Sequence, residues 1–179
     1  MVTQTKQLQR AKTAVRESKT LDFKRELDVS SAGAWCELIK DMIAFANSGG
    51  GIILLGVEDD GSNSATDPSS FLSHDMADIT NRIFKYTNVQ FSDFDVVAIK
   101  RGGLARVAVV VFGVDVPIVF TRPGTYDIGG GKQKTAFSQG TVYFRHGSKS
   151  EPCNREDLLS WREREIAITQ TLPDVLCVA

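Results

Sequence analysis

The stretch at residues 44–61, AFANSGGGIILLGVEDDG, decides how the rest of the chain is read. It begins inside an amphipathic helix: Trp35, Leu38, Ile39, Met42, Ile43 and Ala46 recur at three- and four-residue spacing, behind the capping candidates Ser30 and Ser31. Ser48 and the glycines cannot sustain that helix, so its end is predicted near Asn47. Residues 51–57 form a continuous apolar run rich in branched side chains, the pattern of a central strand covered on both faces. The glycines Gly49, Gly50 and Gly51 therefore follow a helix and precede a strand. A phosphate cradle needs the opposite order, because free N–H groups and the positive dipole end lie at the start of a helix. The expected role is a helix cap and a tight turn into the sheet, the alternative being close backbone approach by a neighbouring chain or ligand.

Working outward, residues 4–16 have helix-forming composition but few large apolar side chains, which predicts a loosely attached helix at a partner surface. Residues 21–26 alternate apolar and polar, as in a half-buried strand. Residues 58–70 are turn material. A second amphipathic helix is predicted over 74–86, from Met76, Ile79, Ile83 and Phe84. Two apolar segments around Gly102-Gly103 predict a β-hairpin. Residues 116–120 and 141–147 add extended segments, and Asn154 is placed to cap a helix over 154–170. The fold class expected is α+β (mixed α/β): a single domain with a mixed, largely antiparallel sheet flanked by helices.

Hydrophobic residues make up 42% and charged residues 24%, which excludes disordered and fibrous classes. The net charge of -1 predicts no global attraction to nucleic acid or membrane. The total hides a segregation. Residues 37–99 hold three basic side chains against ten acids, whereas residues 100–150 hold eight against two. Cys36, Cys153 and Cys177 are too far apart for a zinc motif or a disulfide framework, so a reducing, cytoplasmic setting is expected. The N-terminus lacks a signal-peptide core and no apolar run approaches the ~20 residues of a membrane helix, so no membrane association is expected.

Two motifs carry candidate chemistry. The run TYDIGGGKQKT at 125–135 contains Gly131-Lys132 but has Gln133 where a phosphate loop needs a hydroxyl, and Tyr126 where it needs an earlier glycine; ATP is not expected. Acids flank the sheet in two places: Glu17 and Asp22 around the first strand, and Glu58, Asp59 and Asp60 after the central strand. If those strands are neighbours, the acids converge, and a magnesium or manganese ion would hold them and activate water for phosphodiester cleavage. On the residues alone a polar surface turn, with Glu17 paired to Lys19, Lys24 or Arg25, is the simpler account and the one favoured, because surface acids greatly outnumber metal ligands.

Four separated pieces, ESKTLDFKREL, AFANSGGGIILLGVEDDG, the strand at 117–120 and VYFRHGSKSEPCNREDLLSW, together resemble the Schlafen-type AlbA domain. The resemblance places that domain at 17–165, with a helical extension at 1–16 and a helix end and tail at 166–179. It implies nucleic-acid association, RNA in preference to DNA, and in some Schlafen proteins a metal-dependent endoribonuclease acting on structured RNA such as tRNA. By motif position its catalytic carboxylates fall on Glu17, Asp22 and Asp60, with Asp59 as a further metal ligand beside them. The second acid of that pattern is usually glutamate; Asp22 is one methylene shorter. Nucleases of this kind pair two such lobes, and a homodimer would supply the second.

Candidate nucleic-acid contacts are Lys24, Arg25, Arg122, Lys132, Lys134, Arg145 and Lys149, with Lys24 and Arg25 serving equally well to neutralise the acids. Tyr126, Phe137 and Tyr143 lie among the basic residues, either to stack on bases or to fill the core. Trp35 and Trp161 are expected in the core, and His74 and His146 as surface or hydrogen-bonding residues. Three functions compete: the metal-dependent endoribonuclease, a non-catalytic nucleic-acid-binding regulator, and a protein-interaction module built on the N-terminal helix.

Overall fold

The computed structural model describes residues 2–171; residues 172–179, with Cys177 and the expected tail, lie outside the described residues. The chain runs α1 (Val2–Ala11), β1 (Leu21–Lys24), α2 (Ala32–Asn47), β2 (Gly50–Leu55), a short 3-10 helix (Ser69–Ser73), α3 (Met76–Thr87), β3 (Phe94–Arg101) and β4 (Leu104–Phe112). Two ribbons follow, β5 (Thr125–Asp127) with β6 (Gln133–Thr135), and β7 (Tyr143–His146) with β8 (Lys149–Pro152), before α4 (Arg155–Thr171). The main sheet has the order β1-β2-β4-β3, with β1 parallel to β2 and both other pairings antiparallel. This is the mixed, largely antiparallel α+β architecture expected.

The apolar run at the centre forms β2, buried along its whole length. Ile53 and Leu55 face α2, packing with Leu38, Ile39, Met42 and the odd-numbered valines of β4. Ile52 and Leu54 face the other way, with Leu21, Phe23, Ala108, Val110 and Ala11 of α1. Because side chains alternate along a strand and paired residues share a face, the register Asp22↔Ile53 and Lys24↔Leu55 puts Asp22 and Lys24 on the α2 side. They lie there at the edge of the sheet, where burial requires partners for their charges.

Between α2 and β2 the glycines turn the chain: Gly49 and Gly50 have φ of 93° and 100°. A Cβ on Gly50 would lie 2.8 Å from the carbonyl oxygen of Val111, and one on Gly51 would collide with the Phe45 ring. Asn47 is fully buried at this turn. Its amide donates to the carbonyls of Ile118 and Tyr143 and accepts from the Ile118 N–H at 2.7 Å, tying the helix end to the 118 segment and to β7.

Several expectations are corrected. The first helix ends at Ala11 rather than near Arg16, and it is not loose: Ala11 is buried, and the Arg101 guanidinium donates to the carbonyls of Ala11, Ala14 and Gly61. Trp161 is half-buried on α4 rather than in the core, its indole N–H donating to the Asp115 carbonyl at 2.7 Å. His74 neither sits free nor hydrogen-bonds through Nδ1, which is buried without a partner; its ring stacks on Phe71 and packs against Trp35. Trp35 is in the core as expected.

Candidate functional site

Glu17, Asp22 and Asp59 line one cleft of about 410 Å³, together with Lys24, Asp41 and Arg145. The convergence arises from pairing β1 beside β2, since the chain before β1 carries Glu17 and the turn after β2 carries Asp59. Asp22, Asp41 and Glu17 are nevertheless spoken for. Lys24 Nζ lies 2.7 Å from Asp22 Oδ2 and 2.6 Å from Asp41 Oδ2. Arg145 lies 3.0 Å from Asp22 Oδ1 and 3.9 Å from Asp41 Oδ1. Ser150 Oγ donates to Asp41 at 2.7 Å, and Glu17 Oε1 accepts the Phe23 N–H at 2.9 Å. The Lys24–Asp22 contact is ionic, because Asp22 Oδ2 has no partner in hydrogen-bond geometry.

The charges set one another. Burial pushes the Asp22 carboxyl above its ordinary value, and the nearby Asp41 adds to this against the pull of Lys24 and Arg145. Burial likewise raises Glu17. For Lys24 burial acts downward, but Asp41 and Asp22 outweigh it and hold the ammonium above the ordinary lysine range. The cluster is a network of alternating signs in which the buried carboxylates of Asp22 and Asp41 are balanced by the buried Arg145 and the half-buried Lys24.

This overturns the expected magnesium or manganese site. Among the described residues no group of three or more His, Cys, Asp or Glu side chains could hold a metal ion. The reason is visible in the geometry: Lys24 and Arg145 take the oxygens of Asp22 that an ion would need, and Asp60 is turned into its own loop, accepting the Ser62 N–H at 2.8 Å. Glu17, Asp22, Asp59 and Asp60 are therefore not a metal-ligand set in this structure.

The expected nucleic-acid contacts divide. Arg145 is 1% exposed, with its guanidinium on Asp22, on Ser148 and Ser150, and over the Phe45 ring, so it is removed from any contact surface. Lys24 is held inside the cluster. Lys134 lies 2.9 Å from Glu37, which also accepts from Tyr126 at 3.0 Å and from Lys40. Burial would raise Glu37, but these three partners hold its carboxyl down to about 2. They strap the β5–β6 ribbon to α2 beside the cleft. Arg25 is exposed and pairs with its neighbour Glu26. Lys132, Lys149 and Arg122 are exposed: Lys132 follows the glycine turn between β5 and β6, Lys149 lines the cleft, and Arg122 lies beside α3, its N–H on the Tyr86 carbonyl. Phe137 and Tyr143 are buried, which settles them as core; Tyr126 is half-buried.

Asp41 was missed by sequence reasoning. Its signal was present: an acid between Leu38 and Phe45, on a helix face otherwise apolar, has to be paired.

A family model described as Schlafen, AlbA_2 matches residues 17–154. The chain belongs to this family. It is thereby a Schlafen/AlbA-like, nucleic-acid-associated domain in the general sense. Among solved structures, the DIP2311 protein from Corynebacterium diphtheriae is similar to this AlbA-like chain at 18% identity and a TM-score of 0.58, over 92% of this chain and 29% of that one. That likeness concerns the fold, and the chain spans 29% of the length of that structure. A comparison with curated proteins found no match. Among the described residues no helix of this AlbA-like domain is long and apolar enough to cross a membrane.

Proposed function

We propose that this AlbA-like chain binds nucleic acid, RNA in preference to DNA, as a homodimeric module that acts by binding rather than by metal-dependent cleavage. The observation that carries the reading is the state of the acidic cleft. Its buried carboxylates are neutralised by Lys24 and Arg145, while Lys132 and Lys149 are exposed, with no carboxylate at ion-pair distance among the described residues. Internal cations make the cleft a rigid support, and the free lysines beside it remain for phosphate. A metal-dependent endoribonuclease built on these residues would need the same carboxylates open to an ion.

The test is fluorescence anisotropy with a structured RNA and a duplex DNA of equal length over a salt series. Two or three phosphate contacts predict a log–log slope of about −2 to −3. Lys132→Glu with Lys149→Glu should weaken binding about tenfold or more at low salt and flatten the slope. Binding that ignores salt would overturn the reading. So would RNA cleavage with manganese that is abolished by Glu17→Ala.

A further inference from the structure

The segment before β1 carries a charge that the acidic cleft does not use. Residues 6–19 hold five basic side chains, Lys6, Arg10, Lys12, Arg16 and Lys19, against the single acid Glu17. Arg10 and Arg16 are exposed, and neither side chain has a carboxylate at ion-pair distance or a hydrogen bond among the described residues. The last turn of a helix ordinarily draws such cations to its own carbonyls, which carry negative partial charge. Here that end is already closed. The Arg10 carbonyl accepts the N–H groups of Thr13 at 3.2 Å and Ala14 at 3.0 Å, and the Arg101 guanidinium takes the carbonyls of Ala11 and Ala14. The two guanidinia are left for an external anion.

Both arginines border a concavity of about 370 Å³ formed by the end of α1 and the chain leading into β1. Its apolar lining comes from Ala11, Ala14 and Leu21, which pack into the core on that face of the sheet. Its polar lining adds the hydroxyls of Thr13, Ser18 and Thr20, all on exposed residues. One carboxylate borders it, that of Glu17, whose Oε1 accepts the Phe23 N–H. Glu17 also lines the cleft that carries Lys149, so the two depressions share that residue as a wall.

We propose that this concavity is a second nucleic-acid site, taking one phosphate–ribose unit of a single strand that continues from the RNA held at the cleft. The inference deepens the function proposed above and rests on that reading. Two free guanidinia match a phosphate in charge and donor geometry. The hydroxyls match ribose oxygens, the 2′-hydroxyl among them, and the apolar lining accepts the flank of the sugar or base. A concavity of this size admits one nucleotide unit and excludes a duplex. Gln7, Arg10 and Arg16 precede the residues matched by the family model, so the site lies largely on the segment outside the shared domain.

The test is anisotropy with an RNA hairpin and with the same hairpin carrying single-stranded extensions on its 5′ and 3′ ends. The extended RNA should bind more tightly, with a log–log salt slope steeper by about 1 for the additional phosphate neutralised. Arg10→Gln with Arg16→Gln should weaken the extended RNA about tenfold at low salt and leave the hairpin unchanged, whereas Lys132→Glu with Lys149→Glu should weaken both. In the wild-type complex, 4-thiouridine placed in the extensions should crosslink on irradiation to a peptide within residues 7–21, identified by mass spectrometry. The crosslinking arm stands even if the arginine variant fails to fold. Equal affinity of the wild-type chain for the two RNAs, crosslinks confined to other peptides, or an arginine variant that binds the extended RNA as the wild type does would overturn the proposal. The two readings separate cleanly: binding that depends on the lysines but not on the arginines removes the second site alone, binding that depends on the arginines but not on the lysines removes the cleft alone, and absence of RNA binding removes both.

Discussion

At the residue scale the cleft shows how a buried acid cluster is kept stable without an ion. Burial and the neighbouring Asp41 raise the proton affinity of Asp22, and Lys24 sits between the two carboxylates. Lys24→Met should cost about 2–4 kcal/mol in urea denaturation at neutral pH, because Asp22 and Asp41 are left buried with Arg145 alone. The sign with pH follows from Asp22, whose native pKa is already raised. Between the unfolded carboxylate value and the raised native one, the folded variant binds more protons than the unfolded chain. The deficit of the variant should therefore shrink as pH is lowered from 7 to 5. Asn47 is the other decisive residue. Asn47→Ala should cost about 2–4 kcal/mol, since it leaves the Ile118 N–H and two carbonyls buried without partners.

At the element scale the turn between α2 and β2 and the start of α4 carry the most specific constraints. Gly50→Ala should destabilise by about 2 kcal/mol or more, as positive φ and the approach of the Val111 carbonyl act together. α4 is held by its first turn. Asn154 Oδ1 accepts the N–H groups of Glu156 and Asp157, and Asp157 Oδ2 accepts the Asn154 N–H, a reciprocal cap. His146 bridges this cap to the β7–β8 ribbon, 2.7 Å from Asp157 and 2.8 Å from Glu151. Asp157, then Glu151, raise its pKa above the ordinary histidine value. The stabilisation is full below the unfolded value and is lost as pH rises through the raised native value. Amide exchange in α4 should therefore separate wild type from His146→Gln most at pH 6 and least well above the raised value.

At the scale of the whole molecule, α1 is part of the fold. It closes the face of the sheet opposite α2, over Leu21, Phe23, Ile52 and Leu54, and Arg101 holds its last carbonyl, that of Ala11, while also gripping the loop that carries Asp59. Removing residues 1–11 should lower stability by about 2–4 kcal/mol, seen as a melting temperature lower by about 5–15 °C. An unchanged melting temperature would restore the separable extension that the sequence led one to expect. The same packing links fold to site, because pairing β1 beside β2 brings Glu17 and Asp22 together with Asp59, which lies about forty residues further along the chain.

What the sequence by itself determined was the set of elements and the neighbourhood of the site. The apolar run after the glycines could only be a doubly covered strand, the period of Trp35, Leu38 and Met42 could only be a packed helix, and the motif order marked the family. Those signals are local, written in periods of two and of about three and a half. Charge partnership is not local. The tertiary structure alone decided that Arg145 is buried on Asp22, that Asp41 completes the cluster, that Lys134 is bound to Glu37, and that Asp60 turns away into its own loop. A carboxylate reads identically in sequence whether it faces water, a metal or a lysine. Which it faces depends on strand register and on what packs above the sheet edge, and these are settled only when α2 and the β7–β8 ribbon close over Asp22 and Lys24.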